Sequence, residues 1–176
     1  MAKRSTGKFH RVPRDFYPTP RAAVLPLVPH LWTHERYIEP CAGDGALIEA
    51  LADLGFECMT AYDIEPQAPH IRQADMFHVA TVPGALYIVN PPWRRDILHP
   101  LIERLTGAPG SRCWLLFDAD WIHTKQAISF LPRLRKIVSV GRVKWIPDSK
   151  MTGKDNCAWH YFTQPSDEPT QFYGRT

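Results

Sequence analysis

At 176 residues, 44% hydrophobic and 22% charged, the chain has the length and apolar content of one domain with a single ordinary core. No stretch approaches the roughly twenty apolar residues of a membrane span, and residues 1–6 lack a signal peptide's apolar region, so a cytoplasmic protein without membrane association is expected. A formal charge of +3 excludes a polycation, and four cysteines with no Cys-x-x-Cys pair point to reduced thiols, with neither zinc nor disulfides implied.

In chain order, a tail to residue 14 carries Lys3, Arg4, Lys8, Arg11 and Arg14 ahead of the first acid, Asp15. It reads either as a phosphate contact or as a solvated basic terminus. Periodicity then predicts a helix near 21–32, a strand at 36–39, a helix at 45–54, a strand at 57–62 and a short strand near 71–74. Next come a strand at 86–90, a helix at 95–106, a strand at 112–118, a helix at 121–131, and strands at 136–144 and 157–163. Alternating strands and helices imply an α/β fold: a Rossmann-like, mostly parallel seven-stranded sheet with helices on both faces. Its last two strands could pair antiparallel across the connection 147–156. The expected division is a tail over 1–14, one domain over 15–165 and a C-terminal tail over 166–176.

Two segments carry chemistry. Glu39-Pro40-Cys41-Ala42-Gly43-Asp44-Gly45 follows a short strand and opens an amphipathic helix, as a ligand-cradling turn does. A dinucleotide fingerprint wants a third glycine where Ile48 stands, which disfavours nicotinamide and flavin cofactors. About twenty residues on, Asp63 ends the second strand, placed to hold ribose hydroxyls; a surface carboxylate is the competing account. Asp75 reads either as an acceptor for an adenine amine or as a cap before Met76.

The other segment is Asn90-Pro91-Pro92-Trp93, where an apolar run stops at a polar, rigid, aromatic tetrapeptide. The Asn90 side-chain oxygen and the Pro91 carbonyl can accept from an exocyclic amine whose lone pair is otherwise delocalised into its ring. The prolines pre-shape the turn, and Trp93 offers a stacking face. The bland reading is a proline turn with a buried tryptophan.

With these motifs in order, the chain resembles the class I S-adenosylmethionine-dependent amino-methyltransferases, and among them small phage-type DNA N6-adenine enzymes. In that resemblance Asn90, Pro91, Pro92 and Trp93 are the catalytic tetrapeptide. Phe16, Tyr17, Thr19 and Pro20 match the segment that packs on the cofactor. Glu39, Cys41, Ala42, Gly43 and Gly45 match the glycine-rich motif, Asp63 with Ile64 the ribose ligand, and Asp75 with Met76 the cofactor-adenine contact. Asn90 also borders the cofactor. The family commonly has tyrosine or phenylalanine where Trp93 stands, and its sequence readers usually carry a recognition domain for which 176 residues leave no room.

The resemblance implies S-adenosylmethionine as cofactor, no metal, and transfer to adenine N6 with little sequence specificity unless a partner supplies it. DNA stands ahead of RNA as acceptor, and the location would be the host cytoplasm if a phage encodes the chain. RNA adenine N6, glutamine N5 of a protein, and a non-catalytic binding module are the alternatives. Arg94, Arg95, Lys144, Lys150 and Lys154 are the candidate nucleic-acid contacts, against a reading of plain surface charge. Asp118, Asp120 and Trp121 could line the acceptor pocket, or Asp120 could cap a helix.

Overall fold

The computed structural model describes residues 17–146 and 152–175. Its strands are β1 (Arg36–Glu39), β2 (Glu57–Asp63), β3 (Arg72–Gln73), β4 (Leu86–Val89), β5 (Arg112–Asp118), β6 (Leu134–Arg142), β7 (Asn156–Phe162) and β8 (Gln171–Tyr173). They form one sheet in the order β3-β2-β1-β4-β5-β7-β6-β8. All pairings are parallel except those of β7, which lies antiparallel between β5 and β6.

The centre of the sheet explains its sequence. β4, Leu-Tyr-Ile-Val, is buried throughout, as a parallel strand covered on both faces must be. On one face α3 (Arg95–Leu105) seats Leu98, Leu101, Ile102 and Leu105 at helical spacing against Phe117, Trp121 and Phe130. On the other, α1 (Arg21–Val24) and α2 (Ala46–Ala52) bury Val24, Leu47 and Leu51 against Tyr37, Trp114 and Trp159. Each such side chain contributes about 1.5–3 kcal/mol by leaving water. The Trp159 indole N–H donates to the Ala23 carbonyl at 2.8 Å, tying β7 to α1.

Three expectations are corrected. The helix near 21–32 is one α turn that continues as a 3-10 segment, Leu25–His30, because Pro26 and Pro29 withdraw amide donors. The helix at 121–131 is two 3-10 segments, Ala119–His123 and Lys125–Arg133, parted at Thr124, whose backbone is extended (φ −87°, ψ 147°). The sheet has an eighth strand, β8, in the segment read as a tail, and it pairs parallel to β6 from Lys136↔Gln171 to Val138↔Tyr173.

Arg135 explains that attachment. Its side chain is buried, and the guanidinium donates to the carbonyls of Leu134 (2.8 Å), Ser166 (3.0 Å), Glu168 (3.1 Å) and Pro132. A rigid five-donor fork can satisfy four carbonyls at once, which binds 166–168 to the start of β6.

Candidate active site

A cleft of about 690 Å³ opens where β1, β2 and β4 end. That is the crevice at the carboxyl ends of parallel strands where ligands of open α/β sheets sit. The turn after β1 forms one wall. Gly43 and Gly45 have φ of 54° and 90°, which glycine adopts without strain. A Cβ on Gly45 would stand 3.2 Å from His70 Nε2, so that glycine makes room for a side chain and stands outside the cleft lining.

Asp63 holds the turn in place. Its carboxylate accepts from the Gly43 amide at 2.9 Å and from the Glu65 amide at 2.8 Å, while the Ala42 amide donates to the Tyr62 carbonyl at 3.1 Å. Each Asp63 oxygen keeps acceptor capacity toward the cleft. Asp75 lines the cleft, and its carboxylate caps the next turn by accepting from the Phe77 amide at 2.8 Å. Cys41, Ala42, Ile64 and Met76 line the same space, with the Cys41 thiol 3.4 Å from the Met76 sulfur. Burial pushes the Cys41 thiol up and favours its uncharged form.

Glu39 lies beneath the turn and off the cleft surface. It is 1% exposed, and its Oε2 has no hydrogen-bond partner. Burial, then the negative charges of Asp63 and Asp44, push its carboxyl well above the ordinary range and favour the neutral form. Pro20 starts α1 and also stands outside the cleft lining. Phe16 and Lys150 lie outside the described residues.

The tetrapeptide closes the opposite wall. Asn90 follows directly on β4 and lines the cleft with Pro92, while Pro91 is buried. The Asn90 amide nitrogen donates to the Thr19 hydroxyl at 3.0 Å and to the Tyr17 carbonyl at 3.3 Å, so the segment before α1 packs on the tetrapeptide. Trp93 is anchored differently: its indole N–H donates to the Leu116 carbonyl at 3.2 Å, and its ring meets Trp145 edge-on with centroids 5.9 Å apart.

Trp145 is the aromatic residue that spacing did not single out. It follows β6, lies 6.3 Å from the Tyr17 ring as well, and rests on Gly153, where a Cβ would come within 3.2 Å of its indole nitrogen. The only sequence sign was a tryptophan beside Lys144 in a basic stretch.

The basic residues separate into two groups. Lys144 and Lys154 are exposed on the β6–β7 connection. Arg94 is exposed and grips Asp96 through both its Nε (3.1 Å) and a terminal nitrogen (2.6 Å), while also lining the cleft. Arg95 instead turns toward the sheet, 3.6 Å from the Asp118 carboxylate, with one guanidinium nitrogen buried and unpartnered. Asp118 also caps the 3-10 segment by accepting from the Asp120 amide at 3.0 Å, and Asp120 is exposed. Trp121 is buried, with its indole N–H on His99 at 3.0 Å, which places it in the core.

No protein-family model matches the chain. No curated protein matches it by sequence. Solved structures do match. The 23S rRNA methyltransferase ErmE superposes with a TM-score of 0.56 at 16% identity, over 88% of this chain and 71% of that one. PH1948 from Pyrococcus horikoshii, a candidate RNA methyltransferase, gives 0.57 at 16% identity, over 90% and 91%. A modification subunit of a candidate type I restriction enzyme from Vibrio vulnificus YJ016 gives 0.54 at 13% identity, and this chain, 92% covered, spans 47% of that subunit. Among the described residues, no helix is long and apolar enough to cross a membrane. With the sheet order above and these likenesses, the chain has the fold of the class I S-adenosylmethionine-dependent methyltransferases.

Proposed function

We propose that the protein is an S-adenosylmethionine-dependent methyltransferase acting on the exocyclic N6 amine of adenine in nucleic acid. The observation that carries this reading is Asn90. Its amide donors are engaged by Thr19 and Tyr17, which leaves Oδ1 as an acceptor at the edge of a cleft walled by a glycine turn and a strand-end carboxylate. The residues present fit the cofactor. The cleft has the volume of a small-molecule site. Asp63 offers carboxylate oxygens to a ribose, Asp75 an acceptor to an adenine amine, and Leu47, Ile64, Phe77 and Ile97 supply apolar wall.

When bound, the cofactor supplies a methyl group on a sulfonium, an electrophile with a good leaving group. The protein's part is to make the acceptor amine a nucleophile and hold it in line. Asn90 Oδ1 and the Pro91 carbonyl accept from the amine's hydrogens, which draws nitrogen out of conjugation and aims its lone pair at the methyl carbon. The nitrogen that takes the methyl would become cationic, and the same two oxygens would stabilise that charge until its proton leaves to water. Trp93 and Trp145 form the aromatic ground on which the base rests, and a base in a duplex must leave the stack to reach them. Lys144, Lys154 and Arg94 stand nearby for phosphate. The likenesses support the reading: ErmE is a 23S rRNA methyltransferase, PH1948 a candidate RNA methyltransferase, and the Vibrio vulnificus protein a modification subunit of a candidate type I restriction enzyme.

The test is transfer of labelled methyl from S-adenosylmethionine to plasmid DNA, denatured DNA, total RNA and extract protein in parallel. Label recovered as N6-methyladenine, and reduced about 100-fold or more by Asn90→Ala, is the expected result. The nucleic acid that carries it decides between DNA and RNA. Label confined to protein amides, or cofactor binding without transfer, overturns the proposal.

A further inference from the structure

The orientation of the Asn90 side chain is set from 71 residues away in sequence, by the segment that precedes α1. An asparagine amide has two unlike ends, and only the oxygen can accept from a substrate amine; the NH2 end would oppose it donor to donor. The Tyr17 carbonyl can only accept, so it must face the NH2 end, at 3.3 Å. A hydroxyl can act in either direction. Because the Thr19 hydroxyl accepts from the same nitrogen at 3.0 Å, its own proton remains to be donated, and among the described residues it reaches no acceptor. Thr19 is 6% exposed, and the surface it keeps lines the cleft.

We propose that Thr19, with the Tyr17 carbonyl, is a positioning residue that holds Asn90 Oδ1 toward the acceptor, and that its hydroxyl proton faces the cofactor space, so that filling the cleft tightens Asn90. This rests on the reading of the cleft as the methyl-transfer site. An acceptor group in the cleft takes the Thr19 proton, which makes the Thr19 oxygen a better acceptor for the Asn90 N–H, and hydrogen bonds in series strengthen one another. Asn90 is then held hardest when the methyl donor is in place. Cofactor occupancy and polarisation of the acceptor amine are coupled through one hydroxyl.

The chain has two asparagines, Asn90 and Asn156, so protein labelled with 15N at asparagine shows two side-chain amide pairs, and Asn156→Gln leaves one. The Asn90 pair is expected to be displaced from the Asn156 pair and slow to exchange. Thr19→Val should return one of its protons toward the Asn156 position, and Thr19→Ser should not. Adding S-adenosylhomocysteine should move the Asn90 pair further in the wild type and in Thr19→Ser than in Thr19→Val, where only the direct contact of Asn90 with the cleft remains. In turnover, Thr19→Val should lower kcat about 10- to 100-fold while cofactor Kd, measured by calorimetry, rises by clearly less than that factor, with Thr19→Ser restoring kcat.

An Asn90 pair that coincides with Asn156 and ignores Thr19→Val overturns the inference. So does a Thr19→Val enzyme whose cofactor Kd rises by the factor lost in kcat/KM with kcat intact, since Thr19 would then be a cofactor contact alone. A wild type that methylates nothing, yet shows the expected amide behaviour, removes the functional reading and leaves the positioning of Asn90 upheld.

Discussion

Asp63 couples two jobs in one carboxylate. It fixes the glycine turn through the Gly43 amide and the next loop through the Glu65 amide, and it faces the cleft with what acceptor capacity remains. Asp63→Asn keeps the side chain's size but swaps one acceptor oxygen for a donor pointed at a backbone N–H. Stability should fall by about 1–3 kcal/mol in chemical denaturation, with cofactor Kd rising tenfold or more by calorimetry. An unchanged Kd would remove Asp63 from the ligand site. The spacing from Gly43 to Asp63 made this residue legible in sequence, because a strand-end carboxylate and a turn of small residues have few other uses together. Arg95 was not legible. Whether a cation after a tetrapeptide faces solvent or turns back to Asp118 depends on a strand 23 residues downstream, and local pattern carries no record of that contact.

At the scale of elements, the central strands were readable because burial on both faces demands unbroken apolar runs, as in Leu86–Val89. β8 was not, since three exposed residues after a proline-rich stretch have no period to detect. Its place comes from backbone pairing with β6 and from the Arg135 fork. Arg135→Met keeps most of the buried volume but removes the guanidinium donor from the Leu134, Pro132, Ser166 and Glu168 carbonyls, of which Leu134 keeps the Thr170 hydroxyl and Pro132 the Ser166 amide. The loss should be about 2–4 kcal/mol, with limited proteolysis cutting sooner within 164–175 while the cleft at the ends of β1, β2 and β4 keeps its ligand affinity. Cleavage at the wild-type rate would show that β8 is held without the Arg135 fork. The second 3-10 segment, Lys125–Arg133, likewise escaped prediction: its apolar spacing suits an α-helix, but Pro132 and the extended Thr124 limit its geometry at both ends.

For the whole molecule, two buried ionisable groups oppose each other in pH. His160 is fully buried on β7, stacked on Phe117 with centroids 3.8 Å apart, and neither ring nitrogen has a hydrogen-bond partner. Burial lowers it to about 3, so the folded state prefers the neutral ring. The stability it leaves in place above its ordinary value near 6.5 is lost as pH falls from there toward 3. Glu39 is raised, so its contribution is complete below the ordinary carboxylate range and is lost as pH rises through its higher folded value. His160→Phe should therefore soften the fall in Tm between pH 7 and pH 4.5, and Glu39→Gln should raise Tm at pH 8 more than at pH 4. Profiles parallel to the wild type would show that neither group is taken up neutral. The alternation of strands and helices foretold the sheet, and the family resemblance pointed to the antiparallel pairing of the last expected strand. That placement of β7 has a consequence during synthesis. β5 and β6 share no hydrogen bonds with each other, and the strand that bridges them is made after both. Until the ribosome has delivered 156–162, β5 keeps one unpaired edge and β6 two, because β8 is made later still, and such edges are open to pairing with another molecule.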